Sequence, residues 1–93
     1  MYSIVLSEQA KKDYQYWATS GNEGVLKKIL KLLEDISIHP YTGIGKPEPL
    51  KYDLSGKWSR RINSEHRIIY SVEDKIIKVH IFSMRYHYTK KQG

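Results

Sequence analysis

The spacing of the apolar residues changes from a helical to an alternating period near the middle of this chain. Before the His39–Pro40 bond, apolar side chains recur every three or four residues, which predicts two amphipathic helices. After a stretch rich in Pro and Gly (residues 40–49), the period falls to two, which is typical of strands. The predicted strands cover residues 2–6, 50–54, 58–62, 66–72 and 76–83.

This order predicts an α+β domain with one N-terminal strand, two helices and then an antiparallel meander. Ser7 and Asn22 are the expected N-caps, and each is followed by an acidic residue in the first turn. The helices are expected to pack on one face of a twisted sheet, and the short connections between the later strands favour hairpins. The residues assigned to the core are Ala10, Tyr14, Trp17, Val25, Ile29, Leu32, Leu33 and Ile36.

The length of 93 residues allows one small domain, expected over residues 1–88 with a short basic tail over 89–93. Because the chain has no cysteine, a disulfide framework, a thiolate zinc site and a Cys nucleophile are excluded. No apolar run is long enough to span a membrane and no signal peptide is evident, so we expect a cytoplasmic protein. No two histidines have helical metal-ligand spacing, so any chemistry is expected to use neither metal nor cofactor.

The positive charge is concentrated in the second half of the chain. Residues 1–45 carry five Lys and five acidic residues, whereas residues 46–93 carry eleven Lys or Arg against five acidic residues. The whole net charge of +6 therefore comes from the second half. An anionic partner, either a nucleic acid or an acidic protein, would explain this distribution, and so would a solvated basic surface.

Two arginines are predicted to face one another across a hairpin. A three-residue loop centred on Ser64 would place Arg61 opposite Arg67. Like charges directly opposite in a sheet are destabilising, so an anion held between them is the functional interpretation, and Arg is well shaped to bind phosphate. The alternatives are an ion pair of one arginine with a nearby acid, or a register shifted by one residue.

A single acid lies among basic residues in the segment Lys46–Lys51 (KPEPLK). Prolines on both sides restrict the backbone of Glu48, and the neighbouring lysines favour its ionised form. An ionised carboxylate in a fixed loop near an anionic substrate is what a general base requires. The alternative is a solvent-exposed salt bridge with one of the lysines.

The segment Arg85–Tyr88 (RYHY) follows the last predicted strand. If the chain stays extended there, Arg85 and His87 point to one side, and Tyr86 and Tyr88 to the other. A histidine titrates near neutral pH and can protonate a leaving oxygen, and a tyrosine can stack on unpaired bases. An exposed tail without a role is the alternative.

Glu48, the two arginines and His87 together match the needs of metal-free RNA cleavage through the 2′-hydroxyl of the RNA itself. That reaction requires a base for the hydroxyl proton, cations for the charge that develops around phosphorus, and an acid for the leaving 5′-oxygen. Whether these residues converge depends on the fold.

The chain resembles the YoeB/Txe family of toxins, within the RelE/ParE superfamily, in several segments that occur in the same order. The segments are Lys46–Leu50 (KPEPL), Leu54–Ile62 (LSGKWSRRI), Glu65–Tyr70 (EHRIIY) and Arg85–Tyr88 (RYHY), and Asp13–Trp17 (DYQYW) is similar to the first helix of the family. The resemblance covers residues 2–88, and several motifs in series are far more specific than any one of them.

The resemblance implies a microbial-ribonuclease type of α+β fold and the toxin of a type II toxin–antitoxin pair. Such toxins enter the ribosomal A site and cut the mRNA there, which inhibits translation. Their partner is a YefM/Phd-type antitoxin whose acidic C-terminal segment covers the toxin. The resemblance also allows a homodimer, and it implies contact with operator DNA only through the antitoxin complex.

By motif, the resemblance assigns the general base to Glu48, the phosphate-stabilising arginine to Arg67 and the general acid to His87, with Tyr88 helping to set the site. Two other functions stay open: a ParE-like gyrase poison without nuclease activity, and a binding module whose basic half docks on an acidic antitoxin or RNA. Gyrase-binding relatives generally lack the Glu/Arg/His constellation, which favours the nuclease. The further expected RNA or phosphate contacts are Arg61, Arg60, Lys51 and Lys46.

Overall fold

The computed structural model describes residues 1–86, in which two helices pack against a five-stranded sheet. No helix in this part of the chain is long and apolar enough to cross a membrane. The elements are β1 Ser3–Leu6, α1 Glu8–Thr19, α2 Glu23–Ile38, β2 Glu48–Pro49, β3 Trp58–Arg61, β4 Arg67–Glu73 and β5 Lys78–Ser83, with short 3-10 helices at Tyr52–Leu54 and Asp74–Ile76.

The predicted α+β fold is confirmed, and the N-terminal strand joins the same sheet. The strand order is β1-β5-β4-β3-β2. The pairs β2–β3, β3–β4 and β4–β5 are antiparallel, whereas β1 runs parallel to β5. Because β1 and β5 run in the same direction, the start of α1 lies beside the end of β5, and Ser7 N–H donates to the Ile81 carbonyl at 2.9 Å.

Both helices begin at the predicted caps. Ser7 Oγ accepts a hydrogen bond from the Ala10 N–H at 3.0 Å, and Asn22 Oδ1 accepts one from the Val25 N–H at 3.2 Å. The side chains that fill the core between the helices and one face of the sheet include the predicted Ala10, Trp17, Val25, Ile29, Leu32 and Ile36, joined by Ile68, Tyr70, Val79 and Ile81 from the strands.

The predicted strand over residues 50–54 is wrong. Strand pairing is confined to Glu48–Pro49, and residues 52–54 form a 3-10 helix instead. Pro47 and Pro49, which have no N–H to donate to a ladder, lie at the short paired segment and not within residues 50–54. The left-handed backbone of Tyr52 (φ 58°) then turns the chain away from the extended conformation.

The end of the last predicted strand also differs from the expectation of an extended chain. Residues 85 and 86 form a bend, and Tyr86 has a left-handed backbone with φ 60°. His87, Tyr88 and the predicted tail over 89–93 lie outside the described residues, so the domain boundary stays a prediction.

Candidate active site

The face of the sheet that carries no helix presents the charged residues of the predicted site. Because side chains alternate along a strand, Ile68 points to the core, whereas Arg67 and Ile69 point to the opposite face. Residues opposite one another in an antiparallel pair share a face, so Ser59, opposite Ile69, and Glu48, opposite Ser59, lie there too. Strands β2, β3 and β4 therefore bring the predicted base and the predicted phosphate-binding arginine onto one surface.

Glu48 and Arg67 form an ion pair on this surface. Glu48 Oε1 lies 3.6 Å from Arg67 Nη1, and the same nitrogen lies 3.5 Å from Ser59 Oγ. The Glu48 side chain is 59% exposed and that of Arg67 is 25% exposed, so a ligand can approach the carboxylate from the open face. Both distances exceed those of a strong hydrogen bond, so the carboxylate can still accept a proton and the guanidinium can still donate to an anion.

Arg61 and Arg67 lie directly opposite one another, as the three-residue loop predicts. Their Cα atoms are paired, and the Ile62 N–H donates to the His66 carbonyl at 2.9 Å. This excludes the register shifted by one residue. The alternative of an acidic partner applies to Arg67 only, because Arg61 forms no ion pair with any of residues 1–86. Arg61 is also exposed, so its charge can meet an anion.

A basic cleft, lined by Lys28, Lys46 and Arg61, extends from this hairpin to α2 and has a volume of about 390 Å³. Gly45 allows the loop before Lys46 to approach β3, because an added Cβ would lie 2.6 Å from Leu32 Cδ2 and 3.1 Å from the Arg61 carbonyl. The sequence interpretation missed Lys28, which belongs to the half of the chain without net charge. Only the fold brings this lysine into the same cleft as Arg61.

Arg60 corrects the expectation of a further RNA contact. Its side chain is completely buried on the core side of β3. An arginine has five N–H donors, and five contacts satisfy them. Nε donates to the Tyr70 hydroxyl at 3.1 Å, Nη1 to Asp35 Oδ2 at 2.5 Å and the Ile44 carbonyl at 3.0 Å, and Nη2 to the carbonyls of Thr42, at 2.9 Å, and His39.

The carboxylate beside Arg60 is held in its ionised form. Burial alone would raise the pKa of Asp35, but hydrogen bonds from the Arg60 guanidinium and the Ile44 N–H outweigh it and lower that pKa. Arg60 therefore ties the loop over residues 39–44 to α2 and β3, and it has no donor left for a phosphate.

The remaining predicted site residues are Lys51, His87 and Tyr88. Lys51 is exposed three residues beyond Glu48 and has no ion pair within residues 1–86. His87 and Tyr88 lie outside the described residues, although the chain before them reaches the site, because the Arg67 N–H donates to the Tyr86 carbonyl at 2.8 Å. In the same described part, no group of three or more His, Cys, Asp or Glu side chains is arranged to hold a metal ion.

An apolar pocket of about 260 Å³ lies beside Arg67 on the helix-free face. Ile69, two residues beyond Arg67 on β4, forms part of its wall with Leu54 and Phe82. Lys57 also lines the pocket, and its Nζ lies 4.8 Å from the centre of the Phe82 ring. The surface therefore combines a cationic centre with an adjoining apolar pocket.

Three solved structures that share this fold are those of bacterial toxins, one of them in complex with an antitoxin. The YoeB/ParE toxin from Agrobacterium tumefaciens matches with a TM-score of 0.86 and 36% identity, over 92% of this chain and 99% of that one. The YoeB–YefM complex from Staphylococcus aureus matches at a TM-score of 0.81 and 45% identity, over 95% of this chain and 99% of that one. The YoeB dimer from the same organism matches at the same TM-score of 0.81 and 44% identity, over 94% of this chain and 98% of that one. The fold and the site together define a toxin of a toxin–antitoxin system.

Sequence comparison identifies the family. A family model described as the YoeB-like toxin of bacterial type II toxin–antitoxin systems matches residues 6–88. Over 85 residues the chain is 46% identical to Toxin YoeB of Escherichia coli (strain K12), which covers 91% of this chain and 98% of the relative. The chain belongs to the YoeB-like toxin family, and the resemblance found in its motifs is confirmed.

Proposed function

We propose that this toxin is an endoribonuclease that cuts mRNA in the ribosomal A site and thereby inhibits translation. The observation that supports this most directly is the Glu48–Arg67 pair on an open sheet face, with Arg61 opposite Arg67. A carboxylate beside two guanidiniums suits a phosphodiester, because the cations attract the phosphate and the carboxylate can accept a proton next to it. The motifs that resemble the family carry the same residues.

In the proposed reaction, the Glu48 carboxylate takes the proton of the 2′-hydroxyl and the 2′-oxygen attacks the adjacent phosphorus. Negative charge then grows on the non-bridging oxygens, and Arg67 with Arg61 stabilises it. As the bond between phosphorus and the 5′-oxygen breaks, His87 donates a proton to that oxygen. Tyr88 helps to position the site for this step. The products are a 2′,3′-cyclic phosphate and a 5′-hydroxyl, and one proton has moved from His87 to Glu48 overall. No cofactor enters these steps.

The surroundings of the pair suit single-stranded RNA. The basic cleft offers Lys46 and Lys28 to phosphates that flank the cut, and Lys51 is proposed as a further phosphate contact. The apolar pocket beside Arg67 has room for an unstacked base. This arrangement lets phosphate contacts place the backbone while the base is held separately.

The proposed partners follow from the relatives and from charge. A Staphylococcus aureus relative is known in complex with YefM and as a dimer, so we propose a YefM/Phd-type antitoxin and a homodimer for this chain. An acidic antitoxin segment would compete with RNA for the same arginines. Operator DNA is proposed to be bound only through the antitoxin complex. Because ribosomes are its proposed target, the toxin would act in the cytoplasm.

A toeprinting assay on a translated mRNA, with and without ribosomes, tests this function. Wild type should cut at the A-site codon only when ribosomes are present. Glu48→Gln and His87→Gln should each slow the cut by about 10²–10⁴-fold, the usual contribution of a positioned acid or base. Both variants should retain ribosome binding. Glu34→Gln, which removes an exposed carboxylate on α2, is the matched control and should cut like wild type.

Two results would contradict the proposal. Cutting that persists in both variants would remove the proton-transfer roles. Normal translation with no cut by wild type would favour the gyrase-binding alternative, which a DNA supercoiling assay would then examine.

A further inference from the structure

The peptide that follows β5 is held by side chains of α1 rather than by a neighbouring strand. The Met84 N–H donates to Asp13 Oδ2 at 2.8 Å, and the Met84 carbonyl accepts from Trp17 Nε1 at 2.9 Å. Asp13 and Trp17 are four residues apart and therefore lie on one helical face. All three residues are buried, with exposed fractions of 3%, 5% and 0% for Asp13, Trp17 and Met84.

Two residues further along, Tyr86 is held by the β3–β4 hairpin. Its N–H donates to His66 Nδ1 at 2.6 Å, and its carbonyl accepts from the Arg67 N–H at 2.8 Å. The buried His66 ring lies edge-on to Trp17, with ring centres 4.9 Å apart, and next to the Tyr86 ring at 5.3 Å. Trp17 and His66 thus support one another while each binds a different peptide of the same segment.

We propose that Asp13, Trp17 and His66 are positioning residues for the general acid. One peptide bond separates Tyr86 from His87, and the Tyr86 carbonyl is bonded to the backbone of Arg67. Four hydrogen bonds therefore fix the chain just before His87 relative to the arginine that meets the phosphate. This inference rests on the proposed function and assigns to α1 and the hairpin a role in that reaction.

The chemistry explains why such an anchor matters. A general acid must come within hydrogen-bond distance of the leaving oxygen, and a misplacement of about 1 Å can cost about 10²-fold in rate. The last residues of a domain usually fray unless they are tied down. Asp13 is buried and accepts hydrogen bonds from both Met84 N–H and Gln9 Nε2, which offsets the cost of burying a carboxylate.

Pairs of variants of similar size isolate the hydrogen bonds. Asp13→Leu and His66→Leu remove the acceptors, whereas Asp13→Asn and His66→Asn keep an oxygen near the position of the lost acceptor atom. Trp17→Phe removes the indole donor and keeps an aromatic ring. We expect single-turnover cleavage to fall by about 10–100-fold in the Leu variants, by a smaller factor in Trp17→Phe, and to recover largely in the Asn variants.

A sulfur-substituted mRNA separates positioning of the acid from a general structural role. Ribosomes are programmed with mRNA that has sulfur in place of the 5′-bridging oxygen at the cut, because a thiolate leaves without needing a proton. The Leu variants and His87→Gln should all regain near-wild-type rates on this substrate, with ribosome affinities close to wild type. If Asp13→Leu fails to fold, His66→Leu and Trp17→Phe carry the same test.

The outcomes separate the inference from the function on which it rests. Equal loss by the Leu variants on the oxygen and sulfur substrates, or unchanged rates on both, would overturn the positioning role. Cleavage of the ordinary mRNA by His87→Gln at the wild-type rate would instead show that His87 is not the acid, and no ribosome-dependent cut by wild type would overturn the proposed function itself.

Discussion

Replacement of Arg60 tests whether two adjacent arginines have different roles, with Arg60 stabilising the core and Arg61 available to an anion on the open face. Arg60→Met keeps a long side chain but removes all five donors of a completely buried guanidinium. Each of the five lost bonds involves the charged guanidinium and would cost about 1.5–3 kcal/mol. The simple sum, roughly 8–15 kcal/mol, is an upper bound well above the expected loss, because Asp35 is 21% exposed and the loop carbonyls can regain water.

We therefore expect Arg60→Met to lower the free energy of unfolding by about 3–5 kcal/mol, the usual cost of removing one partner of a buried pair. A domain of this length has a total of roughly 5–14 kcal/mol, so the loss would be severe. Arg60→Lys, with three donors for five acceptors, should lose about 2–3 kcal/mol. The assay is urea unfolding followed by tryptophan fluorescence, in a His87→Gln background that protects the expression host.

Arg61→Met is the matched neighbour, because Arg61 is exposed and has no ion pair within residues 1–86. It should change the free energy of unfolding by less than about 0.5 kcal/mol, as usual for a surface position, and yet reduce mRNA cleavage when His87 is present. A loss below about 1 kcal/mol for Arg60→Met, or an equal loss for both arginines, would refute the reasoning from buried hydrogen bonds.

Three further predictions concern backbone strain, pH and salt. Gly43→Ala should destabilise the fold far more than Gly56→Ala. Both glycines have positive φ (128° and 91°), but only at Gly43 would an added Cβ lie 1.9 Å from Asp35 Oδ2 on α2. Equal urea midpoints for the two variants would contradict this. Hydrogen bonds from the hydroxyls of Tyr2 and Tyr41 lower the pKa of Asp74, and the bond to Asp74 raises the pKa of Tyr41 to about 12. The stability that wild type gains over Tyr41→Phe should therefore be largest between about pH 5 and 9, shrink as pH falls below about 4, and shrink again as pH rises from about 10 to 12; a pH-independent difference would argue against the contact. Ribosome affinity should fall steeply with salt, and replacing the two lysines of the basic cleft with Gln should reduce the slope of log K against log salt by about 1.4–1.8; an unchanged slope would exclude the cleft from RNA binding.

Local patterns in the sequence predict the helices, their caps and the hairpin register because short-range physics determines each of them. The capping hydroxyl of Ser7 and the amide of Asn22 act within three residues, and the loop before Arg67 sets the pairing by its length. Alternation along β3 could also have corrected Arg60, since a strand that turns Arg61 to the open face turns Arg60 to the core. The approach of Lys28 to Arg61 depends on how α2 packs against the sheet, which no local pattern encodes.

The hydrogen bonds of Asp13 and Trp17 to Met84 also could not be predicted from local sequence patterns, for a physical reason. Trp17 has the spacing of a core residue, and it is one, but its indole N–H also binds a carbonyl 67 residues away. That contact exists because the parallel pairing of β1 with β5 places the start of α1 at the end of β5. There, Ser7 Oγ donates to the Phe82 carbonyl at 2.9 Å. From Ser7 onward, successive turns of α1 place Asp13 and Trp17 next to Met84, which follows Ser83, the last paired residue of β5. The helix thus binds the backbone of Met84 where strand pairing stops, and the placement of residues 84–86 depends on the parallel strand at the sheet edge.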